Sequence, residues 1–282
     1  MKSSLETALE NAIEKTQRLH GGKDSLFGSL PEKKKLKNIV FITNIKNPVK
    51  PGRTDAYDLS IYSWKVWCEK NSCDLFVLDE PLMDLSTMSP IYYRHYWPQL
   101  LPEVTTEQIC TVDADTIIHP DCPNFFELID NQFCGVHNDG DYDWIIRSIE
   151  NYQFEFPEFF TKKFNIWKYI NSGFMITSRQ FDFVHQALLD FYWENQVKLL
   201  ETQKKYGVGT DQPLINLITN EIGLDVNILP YRYNMQDLPR KGVLDERFLF
   251  CQIPGIYHFN AIPGGPEQVN FWMKKTFEFL KF

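Results

Sequence analysis

The sequence predicts an α/β fold with a mixed central sheet. Three observations lead there. Ile39-Val40-Phe41-Ile42-Thr43 is a short apolar run of the kind buried on both faces in a parallel sheet. A helical apolar spacing over 54–70 and a second strand over 74–78 follow it, which makes a strand–helix–strand unit. A third apolar strand begins near residue 108 and acquires two carboxylates before it ends. Together these describe a Rossmann-like domain, in which ligands bind beyond the carboxyl ends of the strands.

The elements follow in order. Residues 1–37 read as an N-terminal helical extension and linker: Leu5, Leu9 and Ile13 fall at helical spacing, and a Gly- and Lys-rich stretch comes after them. The domain proper is expected over 38–282. Its first helix over 54–70 has Thr54 or Asp55 as a cap, and an aromatic-rich helix runs over 92–101 up to Pro102. The strand over 108–118 is interrupted by Asp113 and Asp115, and another strand spans 133–137. An Asn- and Asp-rich loop and an aromatic segment continue to Trp167. A strand over 169–177, a long amphipathic helix over 181–206, a shorter helix over 212–221, short strands over 226–229 and 255–259, and a last helix over 266–282 complete the chain.

Composition restricts the function. A formal charge of -8 over 282 residues excludes a nucleic-acid binder, which needs a basic surface to displace phosphate counterions. An acidic protein still binds a diphosphate when a divalent cation lies between them. The six cysteines show no CxxC pairing and sit in apolar stretches, as reduced core thiols do. No stretch approaches the roughly 20 apolar residues of a membrane span, and the N-terminus lacks the apolar core of a signal peptide, so a soluble, cytoplasmic protein is expected. The cluster Lys33, Lys34, Lys35 and Lys37 suits either a solvated entry segment or peripheral contact with an anionic membrane surface.

The chemistry concentrates at Asp113-Ala114-Asp115. Two neighbouring carboxylates at a strand's carboxyl end repel each other unless they share a cation, and hard oxygen ligands suit Mg²⁺ or Mn²⁺. A diphosphate would add further oxygens to the same ion. Asp-x-Asp alone also occurs in loops that cap helices.

Five further segments accompany it: Pro90-Ile91-Tyr92-Tyr93-Arg94 upstream, then Val136-His137-Asn138-Asp139, Asn171-Ser172-Gly173, Asp211-Gln212 followed by Leu214 and Asn216, and Tyr257-His258-Phe259 downstream. With them the chain, over about residues 38–265, resembles glycosyltransferases of the A-type fold, and within these the glycogenin-like and bacterial galactosyltransferase group, family 8. The resemblance implies a nucleotide-diphosphosugar transferase domain that uses Mn²⁺ (or Mg²⁺) and a nucleotide-sugar donor, commonly UDP-linked. Asp113, Asp115 and His258 become the metal ligands. Thr43, Asn44, Arg94, Asp113, Ala114, Asp139 and Asn171 surround the donor, while Asp211 and Gln212 lie beside the anomeric carbon and, with Arg94, carry the catalysis. Simpler readings stand beside these roles: Arg94 as a surface arginine on a packed helix, Asp139 in a solvated loop, Asn171 in a turn, Thr210 or Asp211 as a helix cap, and His258 as a core histidine. One departure is plain. The family follows its histidine with Gly and Lys-Pro-Trp, whereas this chain reads Asn260-Ala261-Ile262-Pro263-Gly264-Gly265, and Lys241 or the Gly-rich backbone is left to replace the missing lysine.

The resemblance implies transfer with retention, the leaving phosphate accepting the acceptor's proton; an inverting route would need a general base, for which Asp211 is the candidate. Two rivals remain. A sugar-1-phosphate nucleotidyltransferase needs a Gly-rich, Arg-containing loop after the first strand, and residues 44–53 contain one glycine. A noncatalytic sugar-binding protein could keep the same fold.

Overall fold

The computed structural model describes residues 37–46, 55–101 and 106–282. The helix expected over 1–20, the linker after it, Lys33, Lys34, Lys35 and Thr54 lie outside the described residues. Lys37 opens the first strand, and its ammonium pairs with Asp74 at 2.7 Å.

Six strands form the main sheet in the order β2-β1-β3-β6-β5-β7. They are β1 (Lys37–Thr43), β2 (Asp74–Leu78), β3 (Thr106–Asp113), β5 (Cys134–His137), β6 (Ile170–Ser178) and β7 (Asn227–Leu229). β1 runs parallel to β2 and β3, and β5 runs parallel to β7, whereas β6 is antiparallel to both of its neighbours, β3 and β5. One reversed strand therefore makes the sheet mixed. It also brings the amino end of β6 to the edge where β1, β3 and β5 present their carboxyl ends.

The alternation along β1 explains its unbroken apolar run. Ile39 and Phe41 enter one core cluster, and Val40 and Ile42 enter the cluster on the other face. The first cluster is covered by α4 (Asp182–Tyr206), α5 (Asp211–Ile222) and the aromatic turns at 90–101, the second by α1 (Tyr57–Lys70). Trp67 of α1 stacks on Phe125 with centroids 4.7 Å apart and donates its indole N–H to the Cys122 carbonyl at 2.8 Å. Its polar atom is thus satisfied while the ring is buried. All six cysteines are buried and free. Among the described residues no helix is long and apolar enough to cross a membrane.

Four local expectations change. The strand expected over 108–118 is two strands: β3 ends at Asp113, and after a turn β4 (Thr116–Ile118) pairs antiparallel with β8 (Ile256–His258) in a separate two-stranded sheet. The helix expected over 92–101 is a 3-10 turn, Pro90–Tyr96, followed by the single α turn α2 (Trp97–Leu100). Tyr92, Tyr93, Arg94 and His95 are all buried there. The loop and aromatic segment contain a helix, α3 (Tyr142–Glu155), capped by Asp141, which accepts a hydrogen bond from the Trp144 amide at 3.0 Å. Finally, α1 starts at Tyr57 with Ala56 at its cap position, and the Ala56 amide donates to Asn270 Oδ1 of α6 (Pro266–Leu280) at 3.1 Å, so a tertiary contact replaces the local cap.

Candidate metal centre and donor cleft

Asp113 is the last residue of β3, Ala114 and Asp115 form the turn, and Thr116 starts β4. Thr116 locks this turn: its hydroxyl donates to the Asp113 carbonyl at 2.7 Å and accepts from the Trp64 indole at 2.9 Å. Pairing of β4 with β8 sets His258 opposite Thr116, and the Phe259 amide donates to the Asp115 carbonyl at 2.9 Å. A histidine 143 residues downstream (258 − 115) thereby reaches the two carboxylates. His258 Nε2 lies 3.1 Å from Asp115 and 3.6 Å from Asp113, and ligand atoms of the three residues fall within 4.8 Å of one another.

The imidazole is oriented from behind. His258 Nδ1 lies 3.0 Å from Asn234 Oδ1, which has no proton to give, so Nδ1–H donates and Nε2 is the atom turned toward the carboxylates. Asn234 Nδ2 in turn donates to Asn171 Oδ1 at 3.0 Å, and the same oxygen accepts from the Gly173 amide at 2.9 Å. Burial alone would depress the His258 pKa, but Asp115 and then Asp113 outweigh it and raise it. Arg94, bonded to Asp113, offsets part of the negative charge gathered at this point, and a cation held by the three side chains would offset the rest. Two carboxylates and one imidazole are a donor set that could hold a divalent cation. Gly173 closes the floor of this centre: a Cβ there would stand 2.5 Å from both Asp113 Oδ2 and His258 Cε1 and 2.8 Å from Asn171 Oδ1.

Arg94 is buried and not on the surface. It donates to the Asp113 carboxylate, to the Ser172 carbonyl and, at 3.1 Å, to the Ile91 carbonyl, and it lies 3.4 Å from Asp211. Burial works against its charge, but Asp113 and Asp211 overcome this and raise its pKa. Asp211 is the first residue of α5, and Thr210 stands at the cap position without a side-chain cap bond. Its side chain is 1% exposed and turns inward to Arg94 and His95. Burial raises its pKa, and the Arg94 charge followed by His95 and Ser172 more than reverses that, so it stays below the usual carboxylate value.

Gln212 faces the sheet: its Oε1 accepts from the Ser172 amide at 3.1 Å. Asn216, one turn further along α5, grips Ile170 from both sides, accepting from its amide at 2.8 Å and donating to its carbonyl at 2.9 Å. These two side chains therefore hold the amino end of β6 in place. At the end of β1, Thr43 Oγ1 and Asn44 Oδ1 are buried without a hydrogen-bond partner among the described residues. A buried acceptor left unpaired costs about 1–3 kcal/mol, which a bound ligand can recover. Ala114 is buried in its turn. Asp139 pairs with Lys241, whose ammonium rests 3.9 Å from the centroid of the Tyr231 ring. That loop is therefore charge-paired rather than freely solvated.

Sequence reading did not single out Asn234, His95 or His185. His95 and His185 are buried, with their Nδ1 atoms 3.0 Å apart, and His95 Nε2 lies 3.5 Å from Asp211. Burial pushes the pKa of both imidazoles down, His185 well down. One therefore donates to the other, both neutral, beneath the carboxylate. No residue pattern marked them, since a buried histidine pair is made by tertiary contact between the 90–96 turn and α4.

No family model and no curated protein matches the chain. Among solved structures it is similar to a glycosyltransferase involved in the glycosylation of the major capsid of PBCV-1, at 10% identity and TM-score 0.48, covering 84% of this chain and 98% of that one. It is also similar to mouse xyloside xylosyltransferase 1 in its apo form, at 14% identity and TM-score 0.46, covering 81% of this chain and 100% of that one.

Proposed function

We propose that this chain is a metal-dependent glycosyltransferase that moves a sugar from a UDP-sugar to an acceptor hydroxyl with retention of configuration. The observation that carries the reading is the convergence of Asp113, Asp115 and His258 at the carboxyl edge of the sheet, with Asn234 turning the imidazole Nε2 toward the carboxylates. The unpaired Thr43 and Asn44 oxygens at the same edge support a nucleoside beside β1.

A divalent cation held by the three side chains would supply positive charge to the diphosphate as the sugar departs. The protein provides the rest. Arg94 fixes Asp113 in place and keeps a buried positive charge behind the centre, a preorganised environment that needs no rearrangement during reaction. Asp211 is ion-paired and shielded from solvent, which argues against its acting as a base toward an incoming hydroxyl. Its burial supports the route in which the leaving phosphate accepts that proton. Asn171 and Gln212 hold the strand end that forms the floor.

The test is thermal stability with UDP, GDP and their sugar conjugates, with and without Mn²⁺, on wild type, Asp115→Ala and His258→Ala. A ligand at about a hundred times its dissociation constant stabilises by about 2.7 kcal/mol. Stabilisation that requires both metal and the two side chains upholds the donor site. Stabilisation indifferent to them removes it. Product stereochemistry then tests retention, and pyrophosphate release from a sugar-1-phosphate and a nucleoside triphosphate would replace transfer by nucleotidyl chemistry.

A further inference from the structure

At the carboxyl end of β5 the aromatic side chains of His137, Tyr142 and, 25 residues further on, Trp167 meet at the surface. His137 ends β5, Tyr142 begins α3, and Trp167 lies in the 3-10 turn Ile166–Lys168 that leads into β6. Ring centroids are 6.2 Å apart for His137 and Tyr142, 6.3 Å for His137 and Trp167, and 5.6 Å for Tyr142 and Trp167. Trp167 remains 65% exposed. Burial does not hold the group together; polar contacts do. His137 Nδ1–H donates to the Tyr169 carbonyl at 3.0 Å, Nε2 lies 3.3 Å from the Tyr142 hydroxyl, and the Trp167 amide donates to Asn165 Oδ1 at 3.2 Å. The Trp167 indole, set edge to face against Tyr142 on a turn whose amide is bonded to Asn165, offers water an apolar face that the fold itself does not use.

The group is joined to the proposed donor site. His137 pairs with Ile170, the neighbour of Asn171, and its carbonyl accepts from Gln236 at 2.7 Å, two residues from Asn234, the partner of His258. The nearby charges are already matched: Asp139 with Lys241, Asp141 with Arg240 and Asp143 with Arg147. These pairs leave none of the six charges unmatched for a charged ligand, which favours an uncharged one. Aromatic faces beside hydroxyl and imidazole edges suit a pyranose ring, which has an apolar C–H face and a polar rim.

We propose that His137, Tyr142 and Trp167 form the acceptor subsite, and that the acceptor presents an uncharged pyranose that stacks on Trp167. This rests on the glycosyltransferase reading for its purpose, but its test reads binding alone.

The experiment is saturation-transfer NMR on the full chain with uncharged methyl glycosides of glucose, galactose and xylose. The proteins are wild type, Trp167→Ala, Trp167→Phe and, as a control at an exposed ring outside the group, Phe154→Ala. Mn²⁺-dependent UDP binding is measured in parallel. At least one glycoside is expected to bind wild type and Phe154→Ala alike, to lose about tenfold in affinity in Trp167→Ala, and to be largely retained in Trp167→Phe. UDP binding stays unchanged throughout. Equal glycoside binding by wild type and Trp167→Ala overturns the subsite, as does the absence of binding to wild type. A wild-type dimer that Trp167→Ala dissociates in sedimentation overturns it too, in favour of a contact between copies. Should UDP fail to bind while glycoside binding still depends on Trp167, the donor reading falls and the sugar subsite stands.

Discussion

Gly173→Ala tests the candidate metal centre with one carbon atom. The added Cβ would lie 2.5 Å from Asp113 Oδ2 and from His258 Cε1. Contacts of a real Cβ essentially never fall below 3.0 Å, so the new methyl and each of these two side chains must part by at least 0.5 Å (3.0 − 2.5). Metal–ligand distances tolerate about 0.2 Å. The displacement exceeds that for two of three ligands at once, and a loss of about 10–100-fold in Mn²⁺ affinity is expected, the scale seen when ligand support is disturbed. Overpacking itself costs about 1–3 kcal/mol of stability, which needs a control. Gly135→Ala provides it, because a Cβ there meets Ile170 side-chain atoms at 2.7–2.9 Å and no candidate ligand. Isothermal titration with Mn²⁺ and chemical denaturation of both variants separate the effects. Both should lose stability, and Gly173→Ala alone should lose the ion. Wild-type Mn²⁺ affinity in Gly173→Ala would refute the assignment of Asp113 and His258 to one ion.

Other outcomes follow from the same structure. Asp211→Asn keeps the shape but removes one of the two carboxylates that neutralise buried Arg94; urea denaturation should show a loss of about 3–5 kcal/mol, as when a buried ion pair is broken. His95 and His185 have depressed pKa values in the fold, so their contribution is fully present above the unfolded value of 6.5 and declines as pH falls below it. Between the folded and unfolded pKa values each lowers stability by at most about 1.4 kcal/mol per pH unit, His185 over the wider window, and replacing both by Gln should flatten that acid limb in denaturation curves. Trp67→Ala removes a buried ring stacked on Phe125 and should cost about 3–5 kcal/mol by denaturation without altering Mn²⁺ affinity.

What could be read from the sequence depended on how far each signal had to reach. Val40 and Ile42 face one core and Ile39 and Phe41 the other, and this two-sided burial wrote itself into β1 as an unbroken apolar run. Asp113 and Asp115 were legible because two carboxylates closing an apolar strand are locally unfavourable without a purpose. The division of 108–118 into two sheets was not legible: both halves are apolar, and only the distant partner, β8 for one and β6 for the other, distinguishes them. Helix α3 was legible but passed over: Ile145, Ser148, Ile149 and Tyr152 fall at helical spacing behind the Asp141 cap, inside a stretch crowded with aromatic residues. Asn234 left no trace, since one asparagine in irregular chain gains its meaning only from what it touches. The segments that resemble family 8 supplied Arg94, Asp211 and Gln212, but not their inward orientation, which comes from burial around Ser172 and Ile170.

The passage of the chain from the large sheet into the small one at Asp113–Asp115 has a mechanical consequence. One candidate ligand belongs to the last residue of the six-stranded sheet, one to the crossing itself, and one to the two-stranded sheet. An ion held there is a rivet through a seam. The seam reaches Met235, whose amide donates to the Ile256 carbonyl at 2.7 Å and whose carbonyl accepts from the His258 amide at 3.0 Å. Loading or stripping the ion would tighten or slacken the register of this hem, and amide exchange in β8 would act as its strain gauge.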